Sequence, residues 1–270
     1  MQRIIILAGG GDLPKEVIKN FLKKKIKFFC ICFENNPVSS LIYKYDHKII
    51  NFGKVISQLK FLYSNNYRKI LMIGNLKRPK LSEIKPDINS IKLIPKFAKE
   101  LLKGGDNNLL NFCIIRLAKL GFEVIDLRKI IPDNFMGKGN QTDKNASKLN
   151  LQDIKKGKLI LDSISKFDIG QSIIIEQGNV LGIESLYGTD HLILSCKIGD
   201  MHKRNAILVK LAKVNQNLKV DLPTIGLKTL KNCKKKSITG VAYSSNSTLF
   251  LNKKAILNYC NVNEIFLYGL

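Results

Sequence analysis

The apolar run Ile4-Ile5-Ile6-Leu7-Ala8 meets Gly9-Gly10-Gly11 with no polar residue between them, and Pro14 follows. A run of this length and composition suits a strand buried on both faces, as in a parallel sheet. Pro14 fits the first turn of a helix, where a missing N–H costs nothing. Helical spacing then continues from Lys15 to Lys25, with Val17, Ile18, Phe21 and Leu22 on one face, and a second apolar strand is expected at Lys27 to Phe33. A strand, a glycine turn, a helix and another strand make a βαβ unit, and that unit commits the chain to a parallel sheet.

The alternation goes on. Val55 to Tyr63 has helical spacing, Lys69 to Ile73 reads as a strand ending at Gly74-Asn75, Leu109 to Leu120 as a helix, and Gly121 to Ile125 as a cap and strand. Residues 1–131 are therefore expected to form a Rossmann-like domain. Residues 132–150 change character: they are rich in Gly, Asn, Asp and Ser, which reads as a linker or mobile loop. Residues 151–270 read as a mixed α/β domain. It has a helix at Leu151 to Phe167, a hairpin of Ser172 to Glu176 and Val180 to Glu184 joined through Gly178-Asn179, and further strands at Ile238 to Tyr243, Thr248 to Leu251 and Ile265 to Tyr268. A last helix is expected at Lys253 to Tyr259.

The 270 residues, 45% hydrophobic, are enough for two modest cores. No apolar run reaches the roughly 18 residues of a membrane span, and the N-terminal run is too short for a secretory signal. The expectation is a cytoplasmic protein. The six cysteines are dispersed apart from Cys30 and Cys32, without a CxxC, and read as small buried hydrophobes. A net charge of +24 raises nucleic acid as a partner. Against that, only Arg3, Arg68, Arg78, Arg116, Arg128 and Arg204 are arginine, and the lysines are spread along the whole chain. Base and phosphate readers favour arginine. No nucleic acid is expected; an anionic membrane surface suits distributed lysines better, and a merely solvated surface suits them equally.

Six segments carry polar groups that chemistry could use. The turn Gly9-Gly10-Gly11 ahead of a helix lets backbone amides approach an anion, although glycines also serve tight turns. The third glycine of a dinucleotide fingerprint is replaced by Pro14, so nicotinamide cofactors are poorly supported. Gly74-Asn75-Leu76-Lys77-Arg78-Pro79 follows a parallel strand, where ligands of open α/β sheets bind; Asn75 and Arg78 suit a sugar and a phosphate, or an ordinary turn. Lys103 to Asn107 places Asp106 or Asn107 as a helix cap. The remaining three are Asp168-Ile169-Gly170-Gln171, with Glu176 and Glu184 on the following strands, Tyr187-Gly188-Thr189-Asp190, and Val220-Asp221-Leu222-Pro223-Thr224-Ile225-Gly226. Asp221 lies between apolar residues at a tight junction, a costly place for a carboxylate without a partner, and Thr224 is expected to open a helix.

Read in order, AGGG-x-LP, GN-x-x-RP, G-D-N, DIGQ, GTD and VDLPTIG make the chain resemble the LpxI-type UDP-2,3-diacylglucosamine pyrophosphatases from Ile4 to about Gly269. The resemblance implies a two-domain enzyme of lipid A synthesis, which uses Mg²⁺ and water to split a UDP-linked diacylglucosamine into UMP and a sugar 1-phosphate. It implicates Asp221 in catalysis and brings Gly10, Asn75 and Thr189 near nucleotide or phosphates. A pyrophosphate needs its charge offset, by Mg²⁺ on carboxylates and by amides or cations. Asp221, Asp190 and Glu184 are the candidate metal ligands. Gly9, Gly10, Gly11, Asn75, Arg78, Asp106, Gln171, Gly188, Thr189 and Thr224 are the candidate substrate contacts. The expected place of work is the inner membrane surface, as a peripheral protein, and a homodimer is left open. Tyr187 stands where the family has Glu, and Asn107 where an acid is expected, so a non-catalytic binder with an eroded site is the alternative.

Overall fold

A computed structural model describes residues 3–102, 106–197, 205–214 and 216–270, apart from the side chains of residues 106 and 107. The chain divides after Ile131 into two compact units. The first contains β1 (Arg3–Ala8), α1 (Leu13–Lys23), β2 (Lys27–Phe33), β3 (His47–Ile50), α2 (Val55–Ser64), β4 (Lys69–Ile73), α3 (Ile94–Leu102), α4 (Asp106–Lys119), β5 (Glu123–Val124) and the single turn α5 (Leu127–Ile130). Its strands form one parallel sheet in the order β3-β2-β1-β4-β5. This is the Rossmann-like arrangement. β1 lies in the middle, and Ile4, Ile5 and Ile6 are wholly buried, which is why its sequence shows no polar alternation. In α1, Val17, Ile18 and Phe21 are buried, whereas Leu22, one turn on from Ile18 at the edge of their face, is 42% exposed.

β3 and α3 were not legible in the pattern. β3 is an edge strand, His-Lys-Ile-Ile, with two exposed residues, and α3 begins with a Pro at its second position, which hides a helix start inside a loop-like context. Cys30 and Cys32 are buried free thiols, and burial pushes them up to about 12 and about 11. They are core residues, as expected.

The second unit contains β6 (Gly139–Asn140), α6 (Lys148–Ile164), β7 (Ser172–Glu176), β8 (Asn179–Ile183), α7 (Gly188–Ser195), β9 (Ile207–Lys210), β10 (Thr224–Ile225), α8 (Leu227–Lys235), β11 (Gly240–Tyr243), β12 (Leu249–Phe250), α9 (Lys253–Val262) and β13 (Phe266–Gly269). Six strands form a mixed sheet in the order β6-β13-β11-β9-β7-β8, in which β13, β11 and β9 run parallel. Successive residues of a strand point to opposite faces. Accordingly Ile173, Ile175, Ile207 and Val209 pack with Ile154 and Leu161 of α6, while Ile174 and Leu208 pack with Leu192 and Ile193 of α7, Leu230 of α8 and Ile256 of α9.

Three expectations need correction here. Residues 132–150 are not a free linker. Met136 is buried in the core, Gly137 accepts a hydrogen bond from Tyr243 Oη, and the backbones of Gln141 and Leu267 are joined at 2.9 Å. Ser147 and Asn150 cap α6 reciprocally. The polar composition serves caps and turns inside the unit. Thr224 lies in β10, not at a helix start; the helix begins after Gly226. The hairpin turn is Gln177-Gly178, one residue earlier than the Gly178-Asn179 expected, with φ of 48° and 79°, the signature of a type I′ turn.

That turn is tied to α6. Buried Asp153 accepts hydrogen bonds from the N–H of Gln177 at 2.9 Å and of Gly178 at 2.7 Å. Two charge-assisted bonds hold a non-glycine residue at positive φ. Asp153→Ala should therefore lower the unfolding free energy by about 2–4 kcal/mol, read from urea denaturation. A change below about 0.5 kcal/mol, typical of a surface substitution, would contradict this role.

Candidate active site

In the first unit, the C-terminal ends of β1 and β4 meet where the strand order reverses, the usual ligand crevice of an open α/β sheet. The sequence motifs at Gly9 to Gly11 and at Gly74 to Arg78 come together there. Gly9 N–H donates to Ile73 O at 2.8 Å, and Gly10 and Asn75 exchange backbone bonds at 2.8 and 3.0 Å. A Cβ on Gly9 would stand 2.5 Å from the Asn75 carbonyl oxygen, so this approach requires glycine. The finding changes the expected role of the turn: the amides of Gly9 and Gly10 hold β4's end and are not offered to a ligand. Gly11, at φ of 93° with open space around it, leads into the N-terminus of α1, and that is where an anion has donors. Asn75 and Arg78 are exposed on the same rim. Asp106 begins α4, but its side chain lies outside the described residues, as do Lys103 to Gly105.

In the second unit a polar cluster is built around one buried lysine. Lys210 ends β9, beside Ser172 on β7 and Tyr243 on β11, and is only 7% exposed. Its Nζ donates to Thr189 Oγ1 at 2.9 Å. Thr189 Oγ1 in turn lies 3.1 Å from Glu184 Oε1 and 3.2 Å from Ser172 Oγ. A hydroxyl has one proton and two lone pairs. The carboxylate only accepts, so Thr189 donates to Glu184 and accepts from Lys210 and Ser172. Its hydroxyl is saturated by protein groups, which sets it against the direct phosphate contact expected for Thr189; it is a hub inside the site.

Glu184 follows β8 and also accepts from the Gln171 N–H at 3.3 Å. Gly170 permits this, since a Cβ there would fall on the Glu184 carbonyl. Gln171 Oε1 is buried without a donor, so it is the one expected substrate contact in this unit left seeking a partner. Asp190 accepts from Thr229 Oγ1 at 3.0 Å and pairs with the exposed Lys228 at 3.3 Å. Asp221 is half-buried at a turn, where its N–H donates to Asn217 O and its Oδ2 accepts from Gln216 Nε2 at 2.7 Å. Thr224 directs its hydroxyl to Leu222 O at 3.1 Å. Gly188 opens α7 at φ of 84°, turning Thr189 and Asp190 into the first helical turn.

Burial lowers the Lys210 ammonium from its ordinary range, while Glu184, Asp190 and Asp221 all act to raise it. The three acids thus each favour its charged form. Asp221, Asp190 and Glu184, the candidate metal ligands, are not gathered as a three-ligand set: among the described residues no group of three or more His, Cys, Asp or Glu is placed to hold a metal ion. Glu184 is committed to Thr189 and Gln171, and an ammonium sits in the acids' common field. Sequence reasoning missed Lys210, Ser172 and Thr229. A signal existed for the first: Lys210 is the lone charge in the apolar run Ala206 to Ala212.

Residues 3–134 match the LpxI N-terminal domain and residues 137–268 the LpxI C-terminal domain. The chain belongs to the LpxI family. It is 24% identical over 278 aligned positions to the UDP-2,3-diacylglucosamine pyrophosphatase LpxI of Caulobacter vibrioides, an alignment that covers 100% of this chain and 98% of the relative. Of the two departures from the LpxI pattern, Tyr187 is 74% exposed and packs its ring on His191, outside the Lys210 cluster, so a carboxylate is not missing from the cluster's interior. Asn107 has its side chain outside the described residues.

The hub arrangement has a direct consequence. Thr189→Val keeps the shape but leaves Lys210, Glu184 and Ser172 each short of a buried partner. It should cost about 2–3 kcal/mol of stability, and Thr189→Ser should cost less. Equal unfolding midpoints for Thr189→Val and the parent would contradict the hub.

Proposed function

We propose that this chain hydrolyses the pyrophosphate bond of a UDP-linked 2,3-diacylglucosamine in lipid A synthesis, releasing UMP and 2,3-diacylglucosamine 1-phosphate. The observation that carries the reading is the buried Lys210–Thr189–Glu184 cluster in a chain that matches both LpxI domains. With Asp190 paired to Lys228, the three carboxylates exceed Lys210 and Lys228 by one negative charge, which favours a further cation in the working enzyme. Mg²⁺ usually binds one or two protein carboxylates and completes its shell with water and substrate phosphate oxygens. Half-buried Asp221 fits that use better than a closed cage of three acids. When bound, the ion offsets the charge of the diphosphate and polarises its oxygens.

The chain's own groups supply the rest. Asp221 is the carboxylate we assign the catalytic role: it is half-buried and outside the Thr189 hub, whereas Glu184 belongs to that hub and Asp190 is paired with Lys228. Gln171 Oε1 offers an acceptor to a substrate N–H or O–H. The N-terminus of α1, with Asn75 and Arg78 on the same rim, offers a dipole and a cation to a nucleotide or a phosphate. The substrate carries two acyl chains, so the reading places the work at the inner membrane surface. A net charge of +24 and the outward Leu22 on basic α1 support peripheral attachment to anionic lipid. No helix among the described residues is long and apolar enough to cross a membrane.

Purified protein given the UDP-lipid and Mg²⁺ should release UMP, and a chelator should stop release. Asp221→Ala should retain substrate binding while turning over at least about 100-fold more slowly. Parent-like turnover in that variant would remove Asp221 from the mechanism, and binding without turnover across divalent metals would favour a non-catalytic role.

A further inference from the structure

Lys210 is the least expected group in the site. A lysine with 7% exposure needs partners that offset its lost hydration. Only one of its three N–H donors is taken up by Thr189. The charges acting in its favour come from three separate segments: Glu184 after β8, Asp190 in α7 and Asp221 in the turn ahead of β10. Its own position is rigid, on a strand paired on both sides, Lys210 with Ser172 and Lys210 with Tyr243. Among the described residues, Lys228 pairs with Asp190 and is 82% exposed, and Lys213 pairs with Asp168, so neither is a buried cation of the Thr189 cluster.

We infer that Lys210 is a positioning residue for this reaction: buried and bonded to Thr189, which in turn bonds Glu184, it is the resident cation that fixes Glu184 and offsets the acids of the site. The inference rests on reading this pocket as the hydrolytic site. Held through Thr189, Lys210 keeps Glu184 turned inward and limits how much further positive charge the pocket accepts. It acts through the acids and touches no reacting atom in this role. Removing its charge has two opposite effects. Glu184 loses its anchor, so turnover falls. The pocket also becomes more negative, so it binds a bare divalent cation more tightly.

The test uses the full chain with Lys210→Met, which keeps the length and apolar stem, Lys210→Arg, which keeps the charge, and the double variant Lys210→Met/Glu184→Gln. Three quantities are read: UMP release from the UDP-lipid, binding of Mn²⁺ alone by titration, and thermal unfolding. Lys210→Met should lower kcat by about 10- to 100-fold, the range for groups that orient others, with KM changed much less. Lys210→Arg should recover part of that loss. Mn²⁺ should bind Lys210→Met several-fold more tightly than the parent. The double variant should melt above Lys210→Met, since the buried acid left without its cation is neutralised. Unchanged kcat in Lys210→Met, or Mn²⁺ binding equal to or weaker than the parent's, overturns the inference. If the parent itself releases no UMP, the hydrolytic reading fails, while the Mn²⁺ titration and the melting order still decide whether Lys210 is the cation that organises the acids.

Discussion

A buried ammonium and the hydroxyl that holds it set the order of the second unit. Lys210 can stay in the core because Thr189 accepts from it and three carboxylates favour its charge, and Thr189 can accept because its single proton goes to Glu184. Apart from Thr189 and Asp190, which share α7, each of these groups comes from a different segment. The polar cluster therefore requires β7, β8, α7, β9 and the Asp221 turn to be in place together, and a partly formed version would leave buried charge without a partner, at a cost of several kcal/mol. The same condition shapes the cluster: acids that would repel one another are tolerated because a buried cation offsets their charge.

The two units solve their folding problem alike. Both build on parallel strands buried on each face, β1 in one and β9 with β11 in the other, and both place their polar motifs where those strands end. The difference lies in what the strand ends carry. The first unit ends in glycines whose amides stitch β1 to β4, leaving the start of α1 and the rim residues Asn75 and Arg78 to face a ligand. The second ends in a buried lysine whose charge the acids favour. This chain thus carries a polar edge with one cation, Arg78, in its first unit and a cluster of acids with buried Lys210 in its second.

Much of this was legible in the sequence. The runs Ile4 to Ala8 and Lys27 to Phe33 announce buried parallel strands because nothing polar interrupts them, and Gly9 to Pro14 announces the strand-to-helix turn. The motifs at Asp168 to Gln171, Thr189-Asp190 and Asp221 name the segments that carry the acidic pocket. What stayed hidden depends on tertiary partners. β9 is short and its apolar run suits a helix as well as a strand. The polar stretch 132–150 looks like linker until Tyr243, Leu267 and Asn150 are seen to take up its hydrogen bonds. Thr189 looks like a ligand contact until its lone pairs are counted. The glycine turn looks like an amide cradle until Ile73 and Asn75 are found to occupy two of its donors.

The central claim is that catalysis is centred on Asp221 in a pocket whose resident cation is Lys210. The most direct measurement is the anomalous signal of Mn²⁺ in crystals grown with UMP. The account predicts an ion bound to the Asp221 carboxylate and to phosphate oxygens, with Lys210 still donating to Thr189. An ion enclosed by Glu184, Asp190 and Asp221 with Lys210 displaced, or one remote from residue 221, would contradict it.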